Sequence, residues 1–331
     1  MLYLLKRSHL LILISLLSSS FNNADRDNPL DPQTKNYQDS GNLQGYVYTY
    51  YAPFQPIESA IITIFPELKS TVTDENGSFS FANLSPGNYQ IKVNFPNFTP
   101  DSALVQVYPN KTTSHRFNLD GLPQLDSLNL TTSYRHQPWP LEPDRLLECI
   151  AHVSDPDGPA DIASVSVIIP DFEFKGTLQI SETVGLYQKR YEEHHLPVKQ
   201  IEELFGHSFF IEITDKVGQI KQFGPHYLIR LIEDEPKIDS PQGSVQVGQN
   251  PTLKWYYLYL PFSYTFKIEI FQIIDQSLYI PILSVSNLSS DTLEYKVIVQ
   301  LLPGSYLWTI SVVDQFGNWS RSKPATFQVG A

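Results

Sequence analysis

Strand alternation between tight turns constrains this chain more than any other feature, and residues 73–93 show it best. There Asp74-Glu75-Asn76-Gly77 forms a polar turn feeding Phe79 and Phe81, and Pro86-Gly87 leads into Tyr89, Ile91 and Val93. Side chains of a strand point alternately to opposite faces, so each apolar set lines one buried face. Gly77 and Gly87 stand where a hairpin connection asks for a positive φ, which other residues adopt only at a cost. The segment therefore predicts an antiparallel hairpin on a sandwich core, and it carries no catalytic group.

The same alternation runs through nearly every segment after residue 42, and amphipathic helical periods are almost absent. Tyr, Phe, Ile, Val and Thr fill the runs, Pro, Asn and Gly separate them, and charged residues make up only 18%. That is the composition of strands joined by turns. The fold class expected is all-β. A chain of 331 residues exceeds one core and should divide into two or three domains.

Residues 1–20 predict a signal peptide: Lys6 and Arg7 precede the apolar run Leu10–Leu17, and Ser18-Ser19-Ser20 offers small residues for cleavage. The run is short of the ~20 residues that span a bilayer, and no later segment is long and apolar enough. Residues 21–41 read as a tether. Within it, Asp25-Arg26-Asp27-Asn28-Pro29-Leu30-Asp31-Pro32 resembles the segment following the lipidated cysteine of many bacterial envelope lipoproteins, but Ala24 stands where that cysteine would be. The resemblance implies an exported address in a bacterial envelope; without a thiol at position 24 there is nothing to acylate.

The formal net charge is −12, and residues 122–234 hold most of it with 9 basic against 18 acidic residues. No Lys/Arg stripe is present to neutralise phosphates, which argues against a nucleic-acid partner. The single cysteine, Cys149, rules out an intramolecular disulfide. It shares a strand face with Leu147, Ala151 and Val153, away from His152, and reads as a buried, inert thiol.

Residues 42–121 form the first predicted domain. Gly45, Val47, Pro56, Ala60, Ile62, Thr73-Asp74, Gly77, Phe79, Phe81, Leu84, Pro86-Gly87, Tyr89, Ile91 and Val93 resemble the carboxypeptidase regulatory-like domain, a transthyretin-like β-sandwich. Zinc carboxypeptidases keep their metal ligands in a separate domain, so the resemblance implies a structural or binding module without peptidase activity. Residues 122–234 resemble, more weakly, immunoglobulin-like domains of bacterial surface proteins. Within them Pro197–Gly206 is the one segment expected to be helical, with Ile201 and Leu204 on one face. Residues 235–331 resemble fibronectin type III-like modules, with Trp255 on an early strand, the run Leu301-x-x-Gly304-x-Tyr306-x-Trp308, and the turn Asp314-x-x-Gly317-Asn318. Asp215–Gly218 repeats the spacing of Asp314–Gly317, so these two sandwiches read as diverged copies of one type.

Three constellations could carry chemistry. Glu192-Glu193-His194-His195 is dense in ligands, but neighbours on a strand face opposite ways, so a solvated loop is expected and no metal is assigned there. Asp155-Pro156-Asp157-Gly158 with Asp161 could offer several oxygens to calcium; it lacks a distal bidentate Glu, and Asp-Gly is also an ordinary turn, which is the favoured reading. In Trp255-Tyr256-Tyr257-Leu258-Tyr259-Leu260-Pro261-Phe262-Ser263-Tyr264, the residues Trp255, Tyr256, Tyr257, Tyr259 and Tyr264 are the binding candidates. Exposed rings stack on sugars or anchor a protein, whereas alternation would send Trp255, Tyr257 and Tyr259 into the core, and packing is favoured. Tyr48, Tyr50, Tyr51 and Phe54 carry the same ambiguity.

No nucleophile elbow, zinc-protease motif, phosphate loop or dinucleotide fingerprint is present, and no cofactor is implied. The expected protein is a non-enzymatic, exported series of three β-sandwiches acting as a structural or adhesive module of the envelope, with a protein or glycan partner. The alternative is a carbohydrate-binding protein of a polysaccharide-uptake or surface-glycan system.

Overall fold

The computed structural model describes residues 39–137, 142–275 and 278–330. The signal peptide, Ala24 and most of the tether lie outside the described residues. The described residues are all-β and divide into two compact units, which part after Gly121.

In the first unit, β1 (Gly41–Thr49), β2 (Ile61–Phe65), β3 (Lys69–Val72), β4 (Ser78–Leu84), β5 (Gly87–Asn94), β6 (Asp101–Val107) and β7 (Thr112–Leu119) build two sheets, ordered β4-β1-β7 and β3-β2-β5-β6. Strand β1 shows the alternation in its simplest form, with Gly41, Leu43, Gly45 and Val47 buried and Asn42, Gln44 and Tyr46 exposed between them. Phe79 and Phe81 on β4 join Tyr89, Ile91 and Val93 on β5 in one core. The two strands are not a hairpin, however: β4 pairs with β1, and β5 pairs with β2 and β6. Alternation fixes which face is buried but not which strand is the neighbour, and these strands face each other across the core from opposite sheets. Gly77 has the expected positive φ (71°) and a Cβ there would lie 2.4 Å from the Val47 carbonyl oxygen. Gly87 has no positive φ; the left-handed residue nearest that connection is Asn83 (φ 56°), within β4. The buried Thr73 hydroxyl donates to the Ile57 carbonyl (2.6 Å) and accepts from the Ala60 amide (2.8 Å), satisfying both groups inside the sandwich.

The second unit runs β8 (Gln124–Arg135), β9 (Asp144–Ser154), β10 (Ile162–Ile169), β11 (Phe174–Thr177), β12 (Gln179–Ile180), β13 (Leu186–Glu192), β14 (Phe209–Asp215), β15 (Ile220–His226), β16 (Ile238–Ser240), β17 (Val245–Val247), β18 (Thr252–Trp255), β19 (Tyr264–Ile273), β20 (Tyr279–Ser289), β21 (Glu294–Lys296), β22 (Gly304–Asp314), β23 (Trp319–Arg321) and β24 (Ala325–Val329). Two main cores form, one around Leu147, Val165, Phe209 and Ile211, the other around Trp255, Phe266, Trp308 and Phe327. A single sheet, β12-β13-β9-β8-β23-β22-β19-β20, runs through both halves, because the three-residue β23 pairs in parallel with β8.

Side chains reinforce that seam. Asn318 Oδ1 accepts from the Thr132 amide (2.9 Å), and its Nδ2 donates to Asp314 Oδ2 (3.0 Å). The Thr132 hydroxyl donates to the Arg230 carbonyl (2.6 Å), and the Arg321 guanidinium donates to the His136 carbonyl (2.7 Å). The two sandwiches are thus knitted by ladder bonds and by buried polar groups that are satisfied only when both are folded.

The expected helix at Pro197–Gly206 is instead a four-residue 3₁₀ turn, Ile201–Leu204. Ile201 and Leu204 are both fully buried, and two anchors three residues apart fit a 3.0-residue turn as well as an α-helix. The segment is too short to nucleate the latter.

Candidate functional site

Strand β18 ends at Trp255, so the alternation expected beyond it does not hold. Trp255 is 3% exposed and packs edge-on against Phe266 in the core; it leaves the set of ligand candidates. Residues 256–263 are irregular, and Tyr256, Tyr257 and Tyr259 stand 56%, 62% and 77% exposed. Two hydroxyls fix this loop. Tyr256 donates to Asp239 Oδ1 (2.9 Å), which holds the phenol above its usual pKa. Half-buried Tyr264 donates to the Leu258 carbonyl and stacks edge-on with Phe266. Below it, Leu260 joins Ile232 and Val312 in a small buried cluster. Three large rings are therefore held out to solvent by a loop pinned at both ends, an arrangement that strand periodicity could not reveal.

The first unit carries a second aromatic surface. Arg116 lies over the rings of Tyr48 (4.6 Å) and Phe54 (4.5 Å), and Tyr46 stacks on Tyr48. Tyr50, Tyr51 and Phe54 are exposed. Here a guanidinium already occupies the faces of two rings.

Glu192, His194 and His195 come together, contrary to the strand-based expectation. Their ligand atoms lie within 4.8 Å of one another, because Glu193–His195 is a 3₁₀ turn and neighbours there do not diverge. All three are exposed. Beside them is a polar cleft of about 510 Å³ lined by Tyr134, Asp144, Arg145, Glu193 and His194. Burial acts against the Arg145 charge, but Glu233, Glu202 and Glu193 outweigh it and raise its pKa. That cation is committed to neighbouring carboxylates. Cys149 is fully buried, and burial pushes its thiol up to about 12, which fits an inert core position.

The aspartate turn after β9 is more than an Asx turn. Asp155 Oδ1 accepts from the Asp157 amide (2.8 Å), as turn chemistry predicts. Asp215, at the end of β14, is brought beside it because Asp215 pairs with Ile162, the residue after Asp161. Asp215 arrives through sheet register, so it stands at no loop spacing from the turn in the sequence.

Residues 42–120 match the family model of the carboxypeptidase regulatory-like domain. The matched stretch spans the first unit's sandwich, from β1 to the end of β7, and so covers both its β4-β1-β7 and its β3-β2-β5-β6 sheet. No curated protein matches the chain. Solved structures similar to it include a type II cohesin–X-dockerin complex of Acetivibrio cellulolyticus (22% identity, 24% of this chain and 58% of that one, TM-score 0.22). The major pilin subunit of Bacillus cereus matches at 8% identity over 88% of this chain and 95% of that one, TM-score 0.30. A putative carbohydrate-binding protein of Bacteroides uniformis matches at 8% identity over 58% of this chain and 94% of that one, TM-score 0.25. Among the described residues no helix is long and apolar enough to cross a membrane.

Proposed function

We propose that this chain is a non-enzymatic, exported β-sandwich protein of a bacterial envelope, and that it binds a glycan or protein partner on the tyrosine loop 256–259. One observation carries the reading: three large rings within four residues, Tyr256, Tyr257 and Tyr259, are more than half exposed on a loop held by Trp255 and Tyr264. Exposed rings cost little rotamer entropy to order and bury a large area on contact, so they act as anchors. The regulatory-like domain at the front supports a module that presents or spaces, since the family match concerns an accessory sandwich.

The purified chain should cosediment with envelope fragments of its source cell. Periodate oxidation of the fragments should remove binding if the partner is a glycan, and protease treatment should remove it if the partner is a protein. A chain that stays in the supernatant with untreated fragments has no envelope partner, and the proposal then fails.

A further inference from the structure

We propose that Asp155, Asp157, Asp161 and Asp215 form a site for one hard divalent cation, calcium in preference to magnesium. Asp161 is 3% exposed, and neither of its carboxylate oxygens has a hydrogen-bond partner. An ionised carboxylate buried without a donor or a counter-charge is among the costliest groups a fold can hold. The carboxylate oxygens of Asp157 and Asp161 come within 4.8 Å of each other, so Asp161 points toward the turn and not into apolar core. Asp155 and Asp215 each spend one oxygen on capping a turn and keep the other. Asp155 Oδ2 and Asp215 Oδ2 are buried and unpartnered, while Asp215 Oδ1 accepts from the Gly218 and Gln219 amides (2.7 Å each).

The last sandwich supplies an internal control. Asp314 sits in the matching turn and its Oδ1 likewise accepts two amides, from Phe316 and Asn318. Its other oxygen is taken by Asn318 Nδ2 (3.0 Å), with Arg230 at 3.7 Å. At Asp215 no Asn or Arg plays that part, and no lysine or arginine of the described residues pairs with Asp155, Asp161 or Asp215. What faces the open oxygen is more carboxylate. A cation held there would give the buried Asp161 carboxylate the counter-charge that no side chain supplies.

The donor set selects the ion. It is all oxygen, which excludes the nitrogen and sulfur preferences of zinc and copper. The ligands come from a turn, a 3₁₀ segment (Pro159–Asp161) and a strand end. Calcium tolerates such irregular geometry with six to eight oxygens, whereas magnesium demands a near-ideal octahedron.

The test uses the full chain, stripped with a chelator and titrated calorimetrically with calcium chloride alone and magnesium chloride alone. One calcium per chain should bind, at least about tenfold more tightly than magnesium, and saturating calcium should raise the unfolding midpoint by about 5–10 °C. Asp161→Asn should abolish both responses while melting no lower than the wild-type chain in chelator, because it removes one of four crowded charges. Asp171→Asn, on an exposed His207 pair, should leave both intact. Should Asp161→Asn not fold, the half-exposed Asp155→Asn reads the same loss. Absence of heat and of a melting shift at about 10 mM calcium, above the weakest extracellular modules, overturns the proposal. So does an Asp161→Asn chain equally destabilised with calcium and with chelator, which would make the aspartates turn caps only.

Discussion

Trp308→Ala is expected to destabilise the second unit by about 3–5 kcal/mol, the range for removing a buried aromatic from a core that collapses only partly. Trp308 is fully buried on β22, flanked on the sheet by Ile270 of β19 and Ala325 of β24. Paired strands on both sides hold the backbone apart, so the cavity cannot close by a local shift. Its Nε1 also donates to the Pro241 carbonyl (2.9 Å), which the substitution would leave without a partner. Urea titration followed by circular dichroism measures the cost. A loss below about 1 kcal/mol, ordinary for a surface change, would show that Trp308 is not the core residue described.

Asn318→Ala should cost about 2–4 kcal/mol, because it strands two buried groups at once. The Thr132 amide can only donate and the Asp314 carboxylate can only accept, so the Asn318 amide has one workable orientation. Asn318→Asp keeps the shape but sets a carboxylate against Asp314, and it should be at least as damaging at neutral pH. The more telling readout is cooperativity. The wild-type unit should melt in one transition, since the sheet seam ties its two main cores together; the Asn318 variants should show two. A single, unshifted transition in Asn318→Ala would mean that the Thr132–Asn318–Asp314 network does not couple the sandwiches.

Much of this architecture was legible in the sequence because burial in strands repeats every second residue. Phe209, Ile211 and Ile213 on β14, like Leu43 and Val47 on β1, are buried where alternation puts them. The first domain was legible in more detail, since its turns carry specific chemistry: Asp74 Oδ1 accepts from the Asn76 and Ser78 amides, and Gly77 takes its positive φ. Pairing was not legible. A two-residue period says nothing about whether the next strand stays in the sheet, so β4 and β5 read as a hairpin although they lie in opposite sheets. The seam between the later sandwiches escaped for a related reason: β23 has three residues, too few to leave a pattern.

The candidate sites were legible as residues but not as geometry. Alternation sends Tyr257 and Tyr259 into the core only if the strand continues, whereas β18 stops at Trp255. The aspartate turn was recognisable, but Asp215 reaches it only through the β10–β14 register. Glu192, His194 and His195 converge because a 3₁₀ turn replaces an extended run. In each case local backbone conformation, set by tertiary packing, decided where side chains already identified would point.

The binding reading depends on the tyrosine loop, and one measurement decides it. Tyr257→Ala and Tyr259→Ala combined in one chain touch only exposed rings and leave the Tyr256–Asp239 hydrogen bond in place, so each should change stability by no more than about 0.5 kcal/mol. Binding of this variant to the envelope fragments should then weaken at least about tenfold against wild type, because aromatic anchors carry a large share of contact energy. An equally stable variant that binds as tightly as wild type would contradict the account, leaving both rings as surface without a partner.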